Sequence, residues 1–434
     1  MSSTPTFAIV GASLAGAKAA ETLRTEGFDG RILLLGEEPE RPYERPPLSK
    51  AYLRGEASSD KLYVHDPGFY AAHDIELRTS TRVASVEPAE RRVLLASGEW
   101  IPYDRLLLAP GAAPRRLEIP GAELDGVLYL RSVNDADALV AAVEKVHRIA
   151  VIGAGWIGSE VAASLRQLGR EVVIVSPGTV PLERVLGPEI GRIYHDAHAE
   201  HGVELMFGTG VVALRGKGRV EQVITADGRI VACDLVVVGI GVTPRTELAE
   251  VAGLAVDNGV VVNDRLETSA PGVYAAGDVA NAWHPLLGRR LRVEHWANAL
   301  HQGPCAARNM LGIDTPYERI PYFFSDQYDL GMEYSGHATS WDEVVVRGHP
   351  AERTFLAFWM REKRMVAGMN VNVWDVVQPI QALIRSGRPM DAGQLADPRI
   401  PIEELARGHE LPLASAANAE PATGDLQAPR GLGL

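Results

Sequence analysis

Two stretches of the chain repeat the same order of apolar and polar positions. Residues 7–10 (FAIV) are continuously apolar, as expected of a strand buried on both faces. A glycine-rich turn, GASLAG, follows at 11–16, then a small-residue helix to about Thr25, then a second apolar strand at 31–35 (RILLL). The order returns from Arg148: the strand RIAVIG, the turn GAGWIG at 153–158, a helix to about Leu168 and the strand EVVIV at 171–175. Each is a βαβ unit of about 30 residues, for which a right-handed crossover is expected. Two such units predict two nucleotide-binding domains.

Further apolar strands end in turns at Asp104–Gly111 (DRLLLAPG) and Asp234–Gly241 (DLVVVGIG), and 272–278 (GVYAAGD) ends in an acid. From about Pro321 the period changes to two. EVVVRG, RTFLAFWM and RMVAGMNVNVW alternate as an antiparallel sheet does. A helix from about Trp374 to Ser386 follows, and beyond His409 an Ala-, Pro-, Gly- and Glu-rich stretch reads as a flexible tail. The expected class is α/β: two Rossmann-like dinucleotide-binding domains plus a C-terminal α+β domain with an antiparallel sheet. A chain of 434 residues has room for two or three domains.

Charge narrows the partners. Against 43 Lys and Arg stand 56 Asp and Glu, a net charge of −13. Phosphate backbones need clustered cations, so nucleic-acid binding is not expected. The tightest basic run is Arg289, Arg290 and Arg292. The two cysteines, Cys233 and Cys305, form no CxxC, which argues against a disulfide scaffold and fits a reducing compartment. The N-terminal segment has no basic stretch before its apolar run and no cleavage-site pattern, so no signal peptide is expected. No stretch reaches 18 apolar residues, and no membrane span is expected. A cytoplasmic protein, monomer or homodimer, is the expectation.

A glycine turn between strand and helix presents backbone N–H groups at a helix N-terminus, where partial positive charge favours a pyrophosphate. The glycines let backbone and phosphate approach and let the helix pack on the sheet. In the first turn Ser13 stands where a second glycine is usual, between Gly11 and Gly16; its hydroxyl is small and could itself meet a phosphate. Glu37 and Glu38 fall about 20 residues on, where a carboxylate grips a free ribose 2′-hydroxyl. The second turn has Gly153, Gly155 and Gly158, but its ribose position reads Ser176-Pro177-Gly178, with no acid. Arg184, eight residues beyond Ser176, could reach a 2′-phosphate or be a surface residue. NADH and NADPH both stay open on these residues.

With these elements placed, the chain resembles the FAD-dependent ferredoxin reductases of bacterial oxygenase systems, the putidaredoxin, rubredoxin and biphenyl dioxygenase reductase type. The resemblance covers roughly residues 5–405. It rests on IVGASLAGAKAAETLR, RPYERPPLSKAYL, DRLLLAPGAAPRRL, VIGAGWIGSEVA, DLVVVGIGVTPRTELAEVAGL, GVYAAGDVA, VEHWANALHQG and PYFFSDQYDLGMEYSG, in that order. It implies a glutathione-reductase-like flavoprotein. The FAD domain would span 1–115 and 247–320, the NAD(P) domain 116–246 and a C-terminal sheet domain 321–408, covering the flavin and helping bind the partner. Residues 409–434 are left as the tail.

The resemblance also implies roles. FAD contacts fall on Gly11, Ser13, Leu14, Ala15 and Gly16, on Glu37, Arg45 and Val83, on Ala109 and Gly111, on Arg131 and Asp278, and on Glu294, His295 and Trp296. Contacts to the nicotinamide dinucleotide fall on Gly153, Gly155, Trp156, Ile157, Gly158, Glu160 and Ser176, and on Gly239, Ile240 and Gly241. Lys50 would lie by the flavin's reactive edge and Glu160 by the nicotinamide, with a Lys50–Glu160 pair forming or breaking as nucleotide binds. No metal is implied. Hydride would pass from NADH, with NADPH as the other donor, to FAD, and single electrons to a ferredoxin. The resemblance leans toward NADH. Pro110 and Phe324 depart from the usual threonine and tryptophan. The alternatives are transfer to a small acceptor, as in monodehydroascorbate reductase, and a redox-sensing interaction protein resembling apoptosis-inducing factor. A disulfide reductase would need a CxxxxC on an early helix, and the first cysteine is Cys233.

Overall fold

The computed structural model describes residues 4–407, so the tail expected at 409–434 lies outside the described residues. The chain divides into two compact units between Pro321 and Tyr322.

The first unit holds two five-stranded parallel sheets. In one the order is Val273–Ala275, Arg105–Leu108, Thr6–Val10, Arg31–Leu35, Ile75–Arg78. Thr6 pairs with Arg31 and Phe7 with Arg105, which puts the longest apolar strands at the centre. Ile9, Leu33 and Leu107 are wholly buried, as the unbroken apolar runs require. The helix Leu14–Thr25 is the first crossover. The second sheet runs Glu204–Phe207, Glu171–Ser176, Arg148–Ile152, Leu235–Val238, Val127–Tyr129. The turns GASLAG and GAGWIG therefore each leave the C-terminal end of a central strand, where open α/β sheets bind ligands. Two three-stranded antiparallel sheets, 83–102 and 211–232, were not among the expected elements. Their strands have three to five residues, too short for alternation to separate them from turns.

The small-residue composition of the first crossover helix has a packing reason. It lies against the helix Trp296–Met310, and a Cβ on Gly303 would stand 2.2 Å from the Ala15 carbonyl oxygen. Only a glycine lets the two backbones approach this closely.

The second unit is an antiparallel sheet in the order Tyr322–Gln327, Leu330–Gly336, Arg364–Val371, Thr354–Arg361, Glu343–His349. The last three carry the expected alternating segments; the leading hairpin is additional. Its helix spans Val377–Ser386, three residues shorter at the start than expected. Asp375 has a φ of +65°, outside the right-handed helical region, so the chain turns there before the helix begins. Among the described residues no helix is long and apolar enough to cross a membrane.

Candidate dinucleotide and flavin site

The two glycine turns share one construction. Gly11 has a φ of +116°, and a Cβ there would lie 2.0 Å from the Ala109 carbonyl oxygen. A Cβ on Gly16 would lie 2.0 Å from the Gly11 oxygen. Gly153 repeats the first restriction, with φ +100° and the Gly239 oxygen at 2.4 Å, and Gly158 repeats the second, with the Gly153 oxygen at 2.1 Å. The middle position is different. At Gly155 nothing of the protein lies within 4 Å of a built Cβ. The matching place in the first turn carries a side chain, Ser13, so the middle position accepts one where the two flanking glycines do not.

Both helices begin without a side-chain cap: neither Ser13 nor Gly155 makes a capping hydrogen bond. The helix Val133–Val143, by contrast, is closed by a capping box between Ser132 and Asp135. Helix N-termini left open beside cradles that exclude side chains fit bound pyrophosphates. Leu14 and Ala15 form the buried first turn of one helix; Trp156, edge-on to Tyr194, and Ile157 begin the other. Ile157 and Ile240 are exposed apolar side chains, and Gly239, Ile240 and Gly241 follow the neighbouring strand Leu235–Val238. Ser176, at the end of Glu171–Ser176, is 8% exposed.

Beyond the strand Arg31–Leu35 the two acids part. Glu38 is held by Arg45 at 2.6 Å and by the Tyr43 hydroxyl, which donates at 2.5 Å. Glu37 stays at the surface, paired with Arg245 at 2.6 Å and, more loosely, with Arg82. Val83 follows Arg82 and opens the strand Val83–Glu87 beside it. Ala109 donates its N–H to the Val10 oxygen, and Gly111 takes a φ of +72°. Arg131 binds Asp278 at 2.7 Å, joining residues 147 apart in sequence on one side of the Gly111 turn.

Lys50 and Glu160 meet. Lys50 Nζ lies 3.1 Å from Glu160 Oε2, and the Ser49 hydroxyl donates to the same oxygen. Lys50 is 9% and Glu160 4% exposed, so this is a buried ion pair. It ties RPPLSK to the first turns of the second crossover helix, and the Ser164 hydroxyl adds a 2.7 Å bond to the Ser49 carbonyl. Ser49 went unremarked in the sequence, where a serine inside a motif has no signal of its own.

Glu44 is another residue the sequence did not single out. Trp296 opens the helix Trp296–Met310 and donates its indole N–H to Glu44; His295 is the helix N-cap, and Glu294 pairs with Arg292 at 2.5 Å. Burial pushes the Glu44 carboxyl above its ordinary value, against the indole hydrogen bond and Lys18, which lower it. The folded carboxyl thus holds its proton more tightly than the unfolded one. Glu44 costs stability as pH rises from the ordinary carboxylate range, about 4.3, to the raised folded value, and the loss persists above it. Glu44→Gln keeps an acceptor for the indole and should raise Tm at neutral pH by an amount that vanishes at about pH 4. Thermal unfolding across pH tests this; a difference independent of pH would show that Glu44 carries no such burden.

Cys233 and Cys305 lie in separate apolar clusters as free thiols. Burial pushes both up to about 12, so neither is a ready thiolate. The candidate site is therefore two open glycine turns in one unit, linked by a buried cation–carboxylate pair, and the two cysteines of the chain form no dithiol.

Comparison with known proteins gives the family. The pyridine nucleotide-disulphide oxidoreductase family matches residues 5–303, and the reductase C-terminal domain matches 322–406. The 5,5′-dehydrodivanillate O-demethylase ferredoxin reductase subunit of Sphingobium sp. is 40% identical over 401 residues, 92% of this chain and 97% of that protein. Putidaredoxin reductase of Pseudomonas putida is 35% identical, over 96% and 100%. A ferredoxin reductase structure from Rhodopseudomonas palustris superposes with a TM-score of 0.89 at 37% identity, covering 92% of this chain and 99% of that one. The covalent putidaredoxin reductase–putidaredoxin complex gives 0.90 at 35% identity, covering 94% and 99%. The chain belongs to the pyridine nucleotide-disulphide oxidoreductase family, and over nearly its whole described length it is similar to ferredoxin reductases of oxygenase systems.

Proposed function

We propose that the protein is an FAD-dependent NAD(P)H:ferredoxin oxidoreductase that delivers single electrons to a [2Fe–2S] ferredoxin or similar redox protein feeding an oxygenase. The observation that carries this reading is the buried Lys50–Glu160 pair between two dinucleotide cradles in a chain without a redox dithiol. Relatives named as ferredoxin reductases, and a solved complex of one with its redox protein, support the acceptor class. The proposed division assigns 1–115 and 247–320 to FAD, 116–246 to the nicotinamide dinucleotide and 321–408 to the sheet domain. A cytoplasmic monomer or homodimer is part of the proposal.

When bound, FAD supplies the change from a two-electron donor to a one-electron acceptor. The chain supplies position and charge. Gly11, Ser13 and Gly16, with the open helix N-terminus, receive the FAD pyrophosphate, and Glu37 the adenine ribose. Arg131 holds Asp278 in place, and the pair would meet the rest of that cofactor. Gly153, Gly155 and Gly158 receive the second pyrophosphate. Lys50 brings a positive charge into a water-poor site, where it stabilises negative charge that develops on reduction. Glu160, itself held by the Ser49 hydroxyl, fixes the ammonium in place and can exchange this partner for the incoming nucleotide.

The test is NADH-driven reduction of cytochrome c. Turnover that requires added ferredoxin is expected. Fast turnover with a small acceptor and no ferredoxin would overturn the acceptor assignment, and slow turnover coupled to a change of oligomeric state would favour a sensor.

A further inference from the structure

The ribose position of the second cradle looks vacant in sequence, since Ser176 ends the strand and is buried. The fold brings an acid there by another route. The segment after Ser176 loops back on the glycine turn: Leu182 N–H donates to the Ala154 carbonyl at 2.9 Å, inside GAGWIG. Its outer side is fixed as Gly208 N–H donates to the Gly178 carbonyl at 2.8 Å. Leu182 is buried and takes a φ of +59°, which turns the chain into the helix beginning at Glu183. The Glu183 carboxylate then reaches back over the loop. Oε2 accepts from Thr179 N–H at 2.7 Å and Oε1 from the Thr179 hydroxyl at 2.8 Å. A Cβ on Gly178 would stand 2.9 Å from Oε2 and 3.9 Å from the Ser176 hydroxyl oxygen. The carboxylate therefore lies against Gly178, two residues past the end of the strand, although it comes seven residues later than Ser176.

We infer that Glu183 is the residue that selects the adenosine ribose of the nicotinamide dinucleotide, favouring the free 2′-hydroxyl of NADH over the 2′-phosphate of NADPH. This rests on the reading of Gly153–Gly158 as the nicotinamide-dinucleotide cradle. A carboxylate in this place accepts from a 2′-hydroxyl and repels a 2′-phosphate, which carries nearly two negative charges. The Thr179 hydrogen bonds hold the Glu183 carboxyl below its ordinary value, so it stays ionised at neutral pH. Gly178 has a matching role, because any side chain there would push the carboxylate away from the strand end. Arg184, the competing residue for a 2′-phosphate, is exposed beside it.

The experiment measures binding of ADP-ribose and 2′-phospho-ADP-ribose to the oxidised flavoprotein by calorimetry. These compounds lack nicotinamide, so the readout is independent of turnover. The parent should prefer ADP-ribose. In Glu183→Gln, whose amide still accepts from and donates to Thr179, the ratio of the two Kd values should fall roughly tenfold or more, as for one like-charge contact in a partly screened site. As a check that needs no variant, the parent's discrimination should weaken between about 0.05 and about 0.5 M salt. An unchanged ratio in Glu183→Gln, or a parent that prefers the phosphorylated compound, overturns the inference while leaving the cradle intact. A parent that binds neither compound overturns the cradle reading and the inference with it.

Discussion

Lys50→Ala should slow reduction of the protein-bound flavin by NADH roughly a hundredfold, the order found when one preorganised charged group is taken from a water-poor site. Lys50 closes the 3₁₀ turn Pro46–Ser49, its side chain has little contact with solvent, and its ammonium is aimed by Glu160, which the Ser49 hydroxyl holds. No other lysine of the described residues is both buried and ion-paired across the two cradles. The substitution also leaves Glu160 buried with its countercharge gone, which costs about 3–5 kcal/mol of stability. The two effects separate in Lys50→Ala/Glu160→Gln, which should regain most of the stability and none of the rate. Stopped-flow reduction on both variants decides the matter: a rate within a factor of about two of the parent would remove Lys50 from the reaction.

Gly11→Ala should yield protein without flavin. The new methyl would lie 2.0 Å from the Ala109 carbonyl oxygen, and φ at this position is +116°, which alanine rarely adopts. Neither neighbour can give way cheaply, since Ala109 is fixed to Val10 by a 2.7 Å hydrogen bond and the central strands are wholly buried. The expected cost is about 4 kcal/mol or more, at the upper end for a single substitution. A second loss follows because a ligand that binds only the folded state stabilises it, and this one would be gone. The check is the flavin absorbance of purified protein, with and without added FAD. Gly155→Ala is the control. Its Cβ meets nothing of the protein within 4 Å, so it should fold normally and weaken only the nicotinamide dinucleotide. A yellow Gly11→Ala protein of parental Tm would refute the packing argument.

What the sequence disclosed depended on distance along the chain. GASLAG and GAGWIG each contain their strand, turn and helix within one short window, and both fold as read. The Lys50–Glu160 contact joins residues 110 apart, and only the resemblance to known reductases suggested it before the geometry did. Arg131 and Asp278 were each expected at the cofactor, but nothing local says that they bind one another. Glu44 was hidden in the middle of RPYERPPLSK, because burial and the indole of Trp296 are properties of the fold. Glu183 was hidden by a loop: a rule that counts residues from the glycines looks at Ser176 and stops. The small antiparallel sheets were missed for want of length, and the helix after Trp374 was begun early because the left-handed turn at Asp375 leaves no mark in composition.

The close approach of Ala15 and Gly303 has one more outcome. Trp296 lies two turns before Gly303 on the same helix, and Ala15 belongs to the turn proposed to receive the FAD pyrophosphate. With backbone set directly on backbone, that helix has no compressible layer of side chains through which to slide. Phosphate turn and indole are thereby locked as a single stiff jaw. Diversification among relatives that serve different electron carriers would then be confined to surfaces this jaw does not touch.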